Sequence, residues 1–334
     1  MRSGIFCLFE NWNQDHQESL KEQIEFIQYA EKLGFDEAWL TEHHFNNFSL
    51  CPSPIALLSY ALASTSKISI GSAAILLAHY HPIKMAESIA TLELLSQGRF
   101  LFGIAKGAFP IFDISMGANP DKNRTLMLEA NRIIQKLLYE EEVYFQGEFF
   151  EINNVSIRPK PQRLIPTYIA SKSIESIIEA AKEGYGILAG MGASLEKLHF
   201  IEENFRTNAL EETPFTLALT RAFFVAESHE EAMEEARMAI DIFIQCMNAA
   251  KENNPTFAQI IQDTTYERLR SELFDQNAIL DQAIIGTPKE CIEKIRTLKE
   301  NLPLSSLILK PATASYKKAK EALRIYKEEI EPLL

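Results

Sequence analysis

Cysteine is scarce in this sequence, and none of it is arranged to bind a metal. Four cysteines, at positions 7, 51, 246 and 291, are spread over 334 residues and form no CxxC pair. A structural zinc site needs clustered ligands, and disulfide frameworks are typical of short secreted chains. The sequence therefore predicts reduced thiols in a cytoplasmic protein.

An excess of positive charge and a long hydrophobic run are also missing. The net charge is -13, which excludes the basic face that a nucleic-acid backbone or an anionic membrane would require. The most hydrophobic uncharged stretch, residues 49–66, contains two prolines and several serines, so it is too broken to span a bilayer. The first fifteen residues contain no small-residue cleavage site, so no signal peptide is expected. We expect neither a nucleic-acid nor a membrane partner.

Short β-branched or aromatic runs alternate with longer helical patterns along the chain. The helical segments repeat apolar residues at spacings of three and four, as in Leu20, Ile24 and Ile27, which indicates helices with one buried face. Strands with little polar alternation that are each followed by a helix favour a parallel sheet covered by helices. Eight strands are predicted, at residues 4–9, 37–42, 68–76, 99–105, 166–171, 185–190, 215–226 and 305–310.

Eight such units indicate a (β/α)8 TIM barrel, with a doubly wound open sheet as the alternative. Two insertions interrupt the repeat: residues 140–165 are expected to form a hairpin, and residues 249–284 a polar excursion that is either an active-site lid or a plain surface insertion. We interpret residues 1–334 as one domain. The helix expected at residues 52–64 is apolar nearly all round, which indicates burial on more than one side and a subunit interface.

Histidines cluster in two short stretches. Of seven in the chain, four lie in "WLTEHHFNNF" and "HYHP". Glu42, His43 and His44 end the second predicted strand, and catalytic groups of a barrel lie at that end. Neighbouring strand residues point in opposite directions, so His43 and His44 make a poor pair of ligands for one metal. His79 and His81 share a side, but Pro82 follows and nothing completes a metal shell. Proton transfer by a neutral histidine and a purely structural role both stay open.

A second group of residues could bind an anion. Lys106 follows the fourth predicted strand, and Arg124 begins a helix, where a cation opposes the helix dipole unless it serves something anionic. Ser171, Ser173 and Ser176 lie around a helix N-terminus, which fits either phosphate binding or simple N-capping. The glycines of "GRFLFGIAKG" do not follow the dinucleotide-binding GxGxxG spacing.

Together these stretches closely resemble the bacterial luciferase family of flavin-dependent monooxygenases. The resemblance covers nearly the whole chain, in the family's order, and rests on "WLTEHHFNNF", "GSAAILLAHYHPIKMAES", "LLSQGRFLFGIAKG", "NRTLMLEA", "YIASKSIES" and "IIGTPKECIEKI". The run from "GSAAIL" to "GRFLFGI" is the most specific part. The "EHHF" stretch also occurs in the family's non-catalytic subunit, so it does not by itself establish activity.

The resemblance implies a (β/α)8 barrel that binds reduced FMN, supplied by a separate NAD(P)H-dependent flavin reductase. Dioxygen then adds to the flavin, and the resulting hydroperoxide oxidises an organic substrate, an aldehyde in light-emitting members. His43 looks like the family's catalytic proton-transfer residue, and His44 like a supporting group. The residues that fall where the family holds FMN are Glu42 and Ala105 near the ring, Ala73 and Ala74 at a cis peptide, and Lys106, Arg124, Ser173 and Ser176 at the phosphate.

Some positions depart from the light-emitting catalytic subunit. Ala105 stands in place of a reactive cysteine, so light emission is not expected. Lys106 stands in place of an arginine and loses its fork geometry, and Lys172 stands in place of an acidic residue. Three other functions stay open: a deazaflavin-dependent oxidoreductase, a non-catalytic flavin-binding subunit, and a metal-dependent hydrolase that uses His79 and His81. We expect a homodimer.

Overall fold

The computed structural model describes residues 1–252 and 275–334. Its strands are β1 Arg2–Cys7, β2 Glu37–Leu40, β3 Ser69–Ser72, β4 Ile75–Leu76, β5 Phe100–Ala105, β6 Val143–Gln146, β7 Glu151–Val155, β8 Thr167–Ile169, β9 Gly186–Ala189, β10 Leu217–Val225, β11 Ile284–Gly286 and β12 Leu304–Pro311. Eight parallel strands form a closed ring in the order β1, β2, β3, β5, β8, β9, β10 and β12, and β12 pairs with β1. The barrel prediction is confirmed, and the open sheet is wrong because β9 pairs with β10.

Helices surround this ring. They are α1 His16–Leu33, α2 Pro54–Ala63, α3 Pro82–Ser96, α4 Pro110–Ser115, α5 Asn123–Tyr139, α6 Ile174–Glu183, α7 Leu195–Asn208, α8 His229–Glu252, α9 Gln276–Gln282, α10 Pro288–Asn301 and α11 Tyr316–Ile325. Several begin at the side-chain cap that their sequence provides, such as Asp15 before α1 and Thr287 before α10. Within the described ranges, none of these helices combines the length and the apolar character that a membrane crossing requires.

The barrel has two apolar layers. A small cluster of strand side chains fills its interior, among them Trp39, Leu101, Tyr168 and Ile308. A larger cluster lies between the strands and the helices. Gly71 makes room for the interior: a Cβ at this position would lie 2.5 Å from the Trp39 ring. Side chains therefore fill the barrel interior below the rim.

The third predicted strand is interrupted where the sequence suggested one continuous run. The Ser72 hydroxyl bonds both the N–H and the C=O of Gly103 at 2.8 Å, in place of backbone partners. The chain then passes through a cis peptide between Ala73 and Ala74 and resumes pairing as β4. The cis bond implied by the resemblance is confirmed, and it places both alanines at the barrel rim.

The two insertions have different outcomes. Residues 140–165 contain the antiparallel hairpin β6–β7, as expected. Most of the predicted insertion at residues 249–284 lies outside the described residues; its last part forms α9 and the start of β11, a short strand that the sequence reading missed. Helix α2 buries Pro54 and Leu58 against the barrel but exposes Tyr60. Within one chain the helix is thus buried on one side, and burial of its other side at a subunit interface stays a prediction.

Candidate active site

A cavity of about 670 Å³ opens at the carboxyl ends of the strands. This is the end at which barrel loops assemble catalytic groups. Eight of the nine predicted site residues line it: Glu42, His43, Ala73, Ala74, Ala105, Lys106, Arg124 and Ser173. The ninth, Ser176, is buried beneath the rim and bonds the Ser173 hydroxyl at 3.1 Å. The predicted residues are thus brought to one site although they are spread over 135 positions of the chain, from Glu42 to Ser176.

Glu42 is a buried carboxylate surrounded by donors. Its Oε1 atom accepts hydrogen bonds from Tyr80 Oη at 2.8 Å and His44 Nε2 at 2.9 Å, and Oε2 accepts from the Leu76 N–H at 2.8 Å. Burial alone would raise the pKa of Glu42, but these donors, with His79 nearby, outweigh it and hold the pKa below its usual value. Glu42 is therefore ionised at neutral pH.

His79 lies between two carboxylates. Its Nε2 atom donates to Asp113 Oδ1 at 2.8 Å, and its Nδ1 atom is 4.0 Å from Glu42 Oε1. Burial lowers the pKa of His79, but the hydrogen bond and charge of Asp113, followed by those of Glu42, raise it to about 9. A protonated His79 therefore balances part of the negative charge beneath the cavity.

The prediction that His79 and His81 share a side is wrong. The chain turns into a 3-10 helix at Leu77–His79, so the two residues no longer follow a strand alternation. His81 is exposed and caps α3. A different trio, Glu42, His44 and His79, has ligand-type atoms within 4.8 Å of one another. Both Glu42 oxygens already accept hydrogen bonds from His44, Leu76 and Tyr80, and His79 bonds Asp113 instead.

His43 faces away from this network, as the strand alternation predicted. The ring lines the cavity, and its Nδ1 atom lies 2.7 Å from Ser49 Oγ. Phe109 packs its ring edge-on at 6.1 Å between centroids. Burial, assisted by nearby His44 and opposed by Glu42, lowers the pKa of His43 to about 4. The imidazole is therefore neutral at pH 7 and can accept a proton.

The other side of the cavity is cationic. Lys106, Arg124, Lys172 and Lys197 all line it, in a chain whose net charge is -13. Burial, with the charge of Arg124 nearby, lowers the pKa of Lys106. Clustered like charges of this kind attract an anionic ligand and are stabilised by it.

Arg124 and Ser173 form a cradle at the N-terminus of α6. Ser173 is the N-cap and accepts from the Ser176 N–H, so the N-capping interpretation is confirmed. Arg124 Nη1 donates to Glu175 Oε2 at 2.9 Å. Its Nε atom is buried and has no hydrogen-bond partner within the described part of the chain. One donor of this guanidinium thus has no protein acceptor among the described residues.

Sequence reasoning missed an apolar wall. Phe109, Phe112, Leu188, Phe200 and Ile201 line the cavity opposite the polar groups. Leu188 lies on a strand whose end was predicted, so its place could have been inferred. The side chains from α4 and α7 carried no signal, because periodicity does not tell which helix residues lean over a barrel mouth.

The sequence matches the model of the family described as luciferase-like monooxygenase over residues 1–304. Among curated proteins, it is 32% identical over 191 residues to the alkanal monooxygenase alpha chain of the Kryptophanaron alfredi symbiont. That match covers 56% of this chain and 54% of the relative. The chain therefore aligns with about half the length of this relative.

Two solved structures share the fold along almost the whole chain. The oxygenating constituent of 3,6-diketocamphane monooxygenase from Pseudomonas putida, in complex with FMN, has a TM-score of 0.78 at 19% identity, covering 99% of this chain and 98% of that chain. An F420-dependent secondary alcohol dehydrogenase has a TM-score of 0.74 at 20% identity, with coverages of 99% and 98%. At these identities the likeness shows the fold alone.

Proposed function

Because the chain belongs to the luciferase-like monooxygenase family, we propose that it is a monooxygenase that uses reduced FMN and dioxygen to oxidise a small organic substrate. One observation carries this proposal: a single cavity combines the neutral imidazole of His43 with the cationic cradle of Lys106, Arg124 and Ser173. A flavin nucleotide requires both, an anion site for its phosphate and a sheltered space beside a proton acceptor for its ring.

The phosphate of FMN fits the cationic side. The buried Arg124 Nε atom lacks a protein acceptor within the described residues, and phosphate oxygens are the acceptors that guanidinium binds best. The N-terminus of α6 adds N–H groups that favour an anion. A nearby phosphate would raise again the pKa of Lys106, which burial lowers. Ser173 would contact the phosphate directly, whereas buried Ser176 would act by orienting Ser173.

The isoalloxazine ring fits the space lined by small residues. Ala73, Ala74 and Ala105 project no more than a methyl group into the cavity, which leaves room for a planar ring. Ionised Glu42 lines the same region. Bound reduced FMN would supply the electrons that activate dioxygen, and we expect the route through an oxygen adduct that the resemblance implies.

His43 would act as the proton acceptor of the reaction. Its imidazole is neutral at physiological pH because burial disfavours the charged form. The aromatic ring of Phe109 packs against His43, and Phe112 packs against Phe109; exclusion of water by such rings protects a reactive oxygen adduct from decay. The hydrocarbon chain of an aldehyde would pack well against these aromatic side chains, so an aldehyde is the first substrate to test.

A deazaflavin cofactor is the second candidate, because one structure with this fold is named as F420-dependent. F420 would require hydride transfer rather than oxygen activation. We also propose a separate flavin reductase as electron donor and a cytoplasmic location. A homodimer would form through α2, whose outward face presents Ala56, Tyr60 and Ala63 without a charged residue.

The proposal is tested by anaerobic titration of the protein with reduced FMN and, in parallel, with reduced F420. Calorimetry measures the binding in each titration. We expect reduced FMN to bind at one site per chain and more tightly than F420. Oxygen is then admitted with a panel of aldehydes, and product is measured against oxygen consumption. His43→Ala should keep FMN binding and lose substrate oxidation.

Three outcomes would refute this function. Preference for F420 would support the hydride-transferring alternative. FMN binding without substrate-dependent oxygen use would indicate a non-catalytic flavin-binding subunit. Failure to bind either reduced cofactor would remove the basis of the proposal.

A further inference from the structure

His43 turns one ring nitrogen to the barrel wall and leaves the other for the cavity. Nδ1 lies 2.7 Å from Ser49 Oγ, and Ser49 is buried, with 1% of its surface exposed. The ring itself lines the cavity. The two nitrogens are on different sides of the imidazole, so Nε2 is the atom available to a ligand.

The partners of Ser49 decide which of these nitrogens carries the proton. Ser49 Oγ lies 2.7 Å from the carbonyl oxygen of Leu8. A carbonyl only accepts, so the single hydroxyl proton of Ser49 points to Leu8. Ser49 Oγ can then only accept from His43, which places the imidazole proton on Nδ1.

The alternative arrangement is less favourable. Ser49 could donate to His43 if the thiol of Cys51, 3.0 Å from the same Leu8 carbonyl, satisfied that acceptor. Two oxygen lone pairs would then face each other at 2.7 Å with no proton between them, and a thiol is a weak donor. The short Ser49–Leu8 contact therefore favours the first arrangement.

We infer that Ser49 is a positioning residue that holds His43 as the Nδ1–H tautomer, so that the Nε2 lone pair is presented to the cavity as the proton acceptor. The tautomer assignment does not depend on the proposed function; only the role in turnover does. Glu42 and His44 are the ionisable groups that face the ring from its own segment, and Cys51 faces the same Ser49 hydroxyl.

A serine in this place has a chemical consequence. Catalytic histidines are commonly oriented by a carboxylate, which also stabilises the imidazolium ion. The neutral Ser49 orients His43 without that stabilisation. The structure thus combines a fixed tautomer with an imidazole that stays neutral at pH 7.

The tautomer is measured by NMR on the full chain labelled with ¹⁵N-histidine, with the His43 signals identified by their loss in His43→Gln. We expect a protonated-type shift at Nδ1 and an unprotonated-type shift at Nε2. In Ser49→Ala the two shifts should move toward each other, and Ser49→Cys should give an intermediate change. Cys51→Ala is the matched control: it removes the thiol beside the Ser49 hydroxyl but keeps the Cys51 carbonyl that accepts from the His43 N–H, and it should leave both ring-nitrogen shifts unchanged.

Turnover provides the second readout. Ser49→Ala should lower kcat by about two- to ten-fold, the loss of one ordinary hydrogen bond, with KM unchanged because Ser49 lies behind the ring. Ser49→Asp should move the acidic limb of the kcat–pH profile upward from about 4, since a carboxylate stabilises the charged ring.

The outcomes separate the two claims. The assignment is overturned if His43 of the wild type is protonated on Nε2. It is also overturned if the ¹⁵N shifts of His43 do not change in Ser49→Ala. An unchanged kcat in a variant whose tautomer has moved overturns the positioning role. Absence of any oxygenation by the wild type contradicts the proposed function and leaves the NMR result to judge the tautomer.

Discussion

Replacing Asp113 by asparagine removes the charge that keeps His79 protonated beneath the cavity. Asp113 is 4% exposed and accepts from His79 Nε2 at 2.8 Å, and the second carboxylate, Glu42, is 4.0 Å from Nδ1. Asparagine has nearly the same shape but no charge. We expect the pKa of His79 to fall from about 9 toward its usual 6.5.

The raised pKa of His79 stabilises the folded protein at low pH and not at high pH. The folded-state pKa of His79 lies above the unfolded one, so its contribution is complete below pH 6.5 and is lost as the pH rises through 9. At 1.4 kcal/mol per pKa unit, a change from 6.5 to 9 sets a ceiling of about 3.5 kcal/mol. Glu42 also raises the pKa of His79 and remains in place after the substitution, so the expected loss is smaller, roughly 1–2 kcal/mol.

Urea unfolding followed by tryptophan fluorescence tests this magnitude. At about pH 6, Asp113→Asn should lower the free energy of unfolding by roughly 1–2 kcal/mol, and near pH 10 the difference should shrink toward zero. Asp121→Asn, which removes an exposed charge nearby, should show neither effect. A deficit of equal size at both pH values would refute the assignment of a protonated His79.

Three further predictions concern the cavity, the dimer and the barrel. Arg124→Gln should weaken binding of FMN by about ten- to a hundred-fold through loss of a charge-assisted hydrogen bond to the phosphate. The control Arg132→Gln, on the same helix, breaks the ion pair with Glu179 and should bind FMN normally in the same titration. Tyr60→Glu places a charge on the exposed face of α2 and should halve the mass measured by light scattering; an unchanged mass would argue against this interface. Gly103→Ala puts a Cβ at 1.9 Å from a backbone oxygen, and it should lower the free energy of unfolding by about 3 kcal/mol. In the control Gly190→Ala the new Cβ meets nothing within 4 Å, so the same urea assay should show little change.

The strand pattern was enough to predict the barrel, because strands that are buried on both faces, by the barrel interior and by helices, read as nearly continuous apolar runs. The ends of individual strands were harder to predict. The predicted strand 68–76 breaks at Ala73, since the Ser72 hydroxyl takes the place of a backbone hydrogen-bond partner. Its partner, Gly103, lies in a strand 31 residues further along the chain, so the break could not be read from the local sequence. The three residues of β11 are too short to give a periodic signal.

The site was predictable where it lies on strand ends. Glu42, His43 and Lys106 each follow a strand, and parallel strands bring such residues to one rim. The network beneath them was not. Tyr80 and Asp113 reach Glu42 and His79 only through the fold, and the sequence suggested a His79–His81 pair that the 3-10 turn separates.

A crystal structure with FMN bound tests the central claim most directly. We predict the phosphate within hydrogen-bond reach of Lys106, Arg124 and Ser173, and the ring between the Ala73–Ala74 peptide and His43, with Nε2 of His43 facing it. FMN bound elsewhere on the chain, or bound here with its ring remote from His43, would contradict the account.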